Sequence, residues 1–141
     1  MAGYFSKLMG DVYEGSYVAT ADIKNGVFAV ISSGKVAASG ADANVELRMK
    51  EKTNIGELNA VRFEVVKAGS EVFMTENLFT RDENLAYDDT DYTIKADELV
   101  RMKRLVPGDE LVISVTSEIF AAFAVNDVYN IAANGLIVKK S

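Results

Sequence analysis

The amino-acid sequence predicts an all-β (mainly β) domain, a small antiparallel barrel or sandwich, preceded by a short N-terminal arm that is helical or extended. Three observations carry that expectation: apolar and charged residues alternate with period two, short continuous apolar runs are rich in β-branched residues, and turn-forming pairs recur between them. With 141 residues and 49% apolar composition, the chain has the size and material for one core. We place the arm at residues 1–15 and the single β domain at residues 16–141.

In chain order, the β pattern begins with Tyr17 to Lys24 and the run Val27-Phe28-Ala29-Val30-Ile31, separated by Asn25-Gly26, the strongest hairpin signal in the chain. Val45-Glu46-Leu47-Arg48-Met49-Lys50 alternates strictly, which predicts a strand with Val45, Leu47 and Met49 inward and the charges in water. The same pattern returns in Val61-Arg62-Phe63-Glu64-Val65 and in Val100-Arg101-Met102-Lys103. A one-residue slip in any of these would bury every charge. The runs Leu111-Val112-Ile113 and Leu136-Ile137-Val138, like Val27 to Ile31, predict strands buried on both faces. Ser33-Gly34, Ser39-Gly40, Ala68-Gly69-Ser70, Pro107-Gly108-Asp109 and Asn134-Gly135 supply further turns. Ile119 to Val125 fits a strand or a helix, and the acidic stretch Thr80 to Asp91 reads as a long exposed loop.

The arm follows a different period. Tyr4, Phe5, Leu8, Met9, Val12 and Tyr13 recur at helical spacing, so residues 3 to 14 could form a short amphipathic helix despite Gly10, the extended form being the alternative. An apolar stripe must be buried somewhere. It covers either the domain's own open end or a neighbouring subunit, with Gly15 as hinge in the second case. These six residues are the candidate subunit interface.

Composition narrows the chemistry. The chain has no histidine and no cysteine, which removes Ser-His-Asp and Cys-His catalysis, the usual zinc sites and haem or iron-sulfur ligation. No phosphate-cradling glycine loop is present. Asp88-Asp89-Thr90-Asp91 lacks the alternate spacing and central glycine of a calcium loop, and no tryptophan is available to stack on a sugar. The expectation is therefore a protein without enzymatic activity, cofactor or metal. A net charge of −6 argues against nucleic-acid and anionic-membrane partners, and Arg101, Lys103 and Arg104 read as a solvated strand face. The longest apolar run, Ile119 to Val125, is too short to span a bilayer. A broken apolar pattern near Lys7 gives no secretory signal, so synthesis in the cytoplasm is expected.

Gly15-Ser16-Tyr17-Val18-Ala19-Thr20-Ala21-Asp22-Ile23-Lys24-Asn25-Gly26, then Gly34-Lys35-Val36, Leu99 to Leu105, Pro107-Gly108-Asp109-Glu110-Leu111, Val128 to Ala132 and Asn134-Gly135 form a pattern spanning most of the chain. It resembles the head decoration, or cement, proteins of tailed bacteriophages. The resemblance implies a virion protein on the outer capsid surface that clamps adjacent major capsid subunits, works as a trimer or dimer, and lays a terminal arm over a neighbour. It transfers no individual functional residue. Two other readings stand beside it: a different phage structural subunit, such as a tail tube or connector protein, and a carboxylate-dependent hydrolase using the acidic loop.

Overall fold

The computed structural model describes residues 3–9, 13–55, 57–69, 71–75 and 93–140. The stretch Thr80 to Asp91 and residue Val12 lie outside the described residues. Thirteen strands, one short α-helix and a 3-10 turn (Ala133–Gly135) are present among them: β1 (Gly3–Lys7), β2 (Tyr13–Glu14), β3 (Ile23–Lys24), β4 (Phe28–Ser32), β5 (Lys35–Ala38), β6 (Asp42–Ile55), β7 (Leu58–Ala68), β8 (Phe73–Thr75), β9 (Thr93–Ile94), β10 (Met102–Arg104), β11 (Glu110–Ser114), α1 (Ser117–Ala121), β12 (Val128–Ile131) and β13 (Ile137–Lys139).

They form an all-β sandwich. One layer has the order β1-β11-β7-β6-β12-β13, the other β2-β10-β8-β4-β5, and β3 pairs with β9 in a two-stranded ribbon. The registered pairs within the sheets are antiparallel. The main core lies between the layers. Val45, Leu47, Met49, Val61, Phe63, Val65, Leu111, Ile113, Tyr129 and Ile131 from the six-stranded sheet meet Phe28 and Met74 from the other, and Phe63 and Tyr129 make an edge-to-face pair at 5.6 Å. A second cluster, including Ile23, Ala29, Val36, Phe73, Ile94, Val100 and Met102, covers the opposite face of the five-stranded sheet.

The two alternating strands behave as their pattern predicts, since their inward side chains are at most 1% exposed. On the outer face of the six-stranded sheet the intervening charges pair across strands. Glu46 receives both Lys140 (3.0 Å) and Lys67 (3.7 Å), Arg48 faces Glu64, and Arg62 bridges Glu51 and Glu110. A bulge between Met49 and Glu51 is what sets Glu51 opposite Arg62. The hydrogen bond from Lys140, reinforced by the Lys140 and Lys67 charges, holds the Glu46 carboxyl below its usual pKa against the opposing effect of burial.

Five expectations need correction. Residues 3–7 are not helical: they form β1, which pairs with β11 as Gly3↔Ile113, Tyr4↔Val112 and Phe5↔Leu111. The stripe has helical spacing, but the open edge of β11 offered a ladder that an isolated short helix could not match. Asn25-Gly26 turns the chain, with Val27 N–H donating to the Lys24 carbonyl, but it joins no hairpin; β3 pairs with β9 and β4 with β5. Only Gly26 of that turn has positive φ, whereas Ser33 and Gly34 both do, at 52° and 76°, as a two-residue hairpin of type I′ requires. Leu136 to Val138 is not doubly buried: β13 is an edge strand, with Leu136 44% and Val138 47% exposed. In the run Val27 to Ile31, Ile31 is likewise 37% exposed. Lys103, finally, is fully buried rather than solvated. β10 lies inside a sheet covered on both faces, so alternation there leads from one core to the other.

Candidate subunit-binding surface

The N-terminal stripe divides into an anchored half and an exposed half. Tyr4 packs on Ile55, Ala60 and Val112 at one end of the outer face, and Phe5 points into the main core. Beyond the strand, Leu8 and Met9 are 48% and 58% exposed. Tyr13 opens β2, lies at the border of exposure, and carries the Arg101 guanidinium 4.5 Å above its ring.

A buried ion pair fastens this segment. Lys103 Nζ lies 2.5 Å from Asp109 Oδ2, both side chains are fully enclosed, and Nζ also donates to the Arg104 carbonyl. Asp109 accepts from Val106 N–H at 3.0 Å through Oδ2 and from Met9 N–H at 2.6 Å through Oδ1. The Phe5 ring sits 4.8 Å from the Lys103 ammonium, close enough for a cation–π contact. Every partner that a buried carboxylate needs is therefore supplied, two of them backbone N–H groups and one a cation. The Pro107-Gly108-Asp109 turn aims the carboxylate inward: Val65 N–H donates to the Asp109 carbonyl and Gly108 N–H to the Val65 carbonyl, both at 2.8 Å. The pair ties β10 of one layer to the start of β11 in the other and holds Met9 where the N-terminal segment leaves the sheet.

The sequence offered no direct sign of this arrangement. A lysine in an alternating strand and an aspartate in a Pro-Gly-Asp turn each have an ordinary surface reading. Only their packing shows that they meet. The other unanticipated feature is a set of exposed apolar side chains away from the N-terminus: Leu58, Leu99, Val125, Leu136 and Val138. Leu58, Val115, Ile119, Leu136 and Ile137 line a shallow, largely apolar groove of about 530 Å³. Among the described residues no group of three or more acidic side chains is placed to hold a metal ion, and no helix is long and apolar enough to cross a membrane.

No protein-family model, curated protein or solved structure matches the chain.

Proposed function

We propose that this chain is a non-enzymatic virion structural protein that binds the outer surface of a phage capsid and stabilises contacts between major capsid subunits. The observation that carries the reading is the apolar rim of Leu8 and Met9, exposed just beyond a base fastened by Phe5 and Asp109, with Tyr13 exposed at the start of β2. A held apolar rim loses little conformational entropy on docking, which is what a protein clamp requires. The resemblance to decoration proteins names the partner, the major capsid protein. The neutralised charge ladder on the outer face of the six-stranded sheet makes that face a poorer candidate for tight contact, because docking would desolvate several ion pairs at once.

The experiment is co-sedimentation of the purified protein with expanded capsids that lack it. Leu8→Glu and Met9→Glu are expected to keep the wild-type melting temperature and lose most particle binding. Wild-type binding by both variants, or failure of the wild type itself to bind while it assembles into rings or tubes, would overturn the reading, the latter in favour of a tail component.

A further inference from the structure

We infer that the β13 edge pairs with the same edge of a second copy of this chain, in an antiparallel register centred on Val138. The inference rests on the edge itself and not on the capsid reading. Leu136 O accepts from Ala132 N–H, and Lys140 N–H donates to Val128 O, so Leu136, Val138 and Lys140 direct their backbone groups toward β12. The N–H and C=O groups of Ile137 and Lys139 therefore point away from the sheet, where no further strand pairs with them among the described residues.

Proteins blunt such edges, and the edges at β1 and β5 are blunted here. β1 is interrupted by a bulge between Phe5 and Lys7. β5 is covered by the segment carrying Ala19: Thr20 N–H donates to Val36 O and Val36 N–H to Val18 O. Among the described residues β13 has neither device, and its outer face shows Leu136 and Val138 to water. Its two lysines do not serve as guards either. Lys139 is paired with Asp127 at 3.2 Å and Lys140 with Glu46 at 3.0 Å, so a second copy meets neutralised rather than repelling charge.

A two-fold at Val138 satisfies every geometric requirement of the edge. Ile137 lies opposite Lys139 of the second copy and Lys139 opposite Ile137, giving about four backbone hydrogen bonds from the groups that point outward. Val138 then faces its own counterpart as the close, non-hydrogen-bonded pair, covering the apolar side chain that the monomer exposes. Leu136 lies against the aliphatic stem of Lys140. A register centred on Lys139 would set two lysines face to face. The shared edge is short, so the free chain dimerises in a concentration-dependent way, measurably only at high concentration.

The chain has no cysteine, so Val138→Cys introduces a single thiol at an exposed position. Cα atoms across a close antiparallel pair lie within disulfide range. Under mild oxidation by diamide, Val138→Cys is expected to form a covalent dimer at least about tenfold faster than Leu99→Cys, an exposed control in the other half of the fold, because pairing raises the local thiol concentration. Val138→Lys is expected to abolish concentration-dependent dimerisation in sedimentation velocity while leaving the melting temperature unchanged. Equal cross-linking rates at positions 138 and 99, or dimerisation that survives Val138→Lys, would overturn the inference. Both measurements use free protein, so their failure leaves capsid binding unaffected and a failure of capsid binding leaves them interpretable.

Discussion

Replacing Asp109 by alanine strands the Lys103 ammonium in an interior from which its strand gives it no exit. Both side chains of the pair are fully enclosed, and Asp109 also satisfies the N–H groups of Met9 and Val106. Removing one partner of a buried pair costs about 3–5 kcal/mol, chiefly through the charge left behind. The two backbone donors lose their acceptor as well, which places Asp109→Ala at the upper end of that range. For a chain of this length about 1 kcal/mol lowers the melting temperature by roughly 3 °C, so a drop of about 12–15 °C is expected. The double variant Lys103→Met, Asp109→Leu removes the orphaned charge and should recover at least about half of the loss, since apolar replacement of a buried pair is often neutral or better. Urea unfolding of the wild type, both single variants and the double variant closes a thermodynamic cycle. A loss below about 1 kcal/mol for Asp109→Ala would refute the reasoning, because exposed pairs lie in that range.

Phe63→Ala should cost about 3–5 kcal/mol in the same assay, since Phe63 is fully buried against Tyr129, whereas Arg62→Ala, a partly exposed ion-pair residue, should cost less than about 1 kcal/mol; similar values at the two positions would contradict the assigned faces. Deleting residues 1–9 removes an edge strand, the Phe5 contribution to the core and a donor to Asp109, so a clear fall in melting temperature is expected; an unchanged value would show that the segment contributes to assembly alone. Burial, helped by the Asp127 charge and opposed by Lys139, raises the Tyr129 pKa above its usual value. The unfolded chain then releases that proton first as pH rises through about 10, and native stability falls with pH from there up to the folded value. Tyr129→Phe removes this contribution, so its melting temperature should decline less steeply than that of the wild type above about pH 10; parallel curves would exclude it.

Several layers of this fold are legible from local pattern. Val45-Leu47-Met49 and Val61-Phe63-Val65 read correctly because a strand with one wet face alternates wherever it sits, and Leu111 to Ile113 because a β-branched run inside a sheet must be covered on both sides. The same logic fails where local pattern is silent about neighbours. Leu136 to Val138 has the composition of a central strand yet lies at an edge, and Lys103 has the period of a wet face yet points into a core. The arm stripe is similar: its spacing fitted a helix, and the free edge of β11 drew residues 3–7 into a strand instead.

The candidate site follows that division. Tyr4, Phe5, Leu8, Met9 and Tyr13 were recognisable as a stripe needing burial, but the split between anchored Phe5 and exposed Met9 depends on where β11 and Asp109 lie. The sequence by itself determined the β class, the inward rows of the two long strands and the loss of histidine- and cysteine-based chemistry. The tertiary structure alone decided which strands became edges, which lysine entered the interior and which apolar side chains stayed in water. The physical reason is that side-chain periodicity records how many faces of a strand are covered, whereas an edge or a buried charge is defined by partners distant in sequence, here Lys103 with Asp109 and Asp109 with Met9.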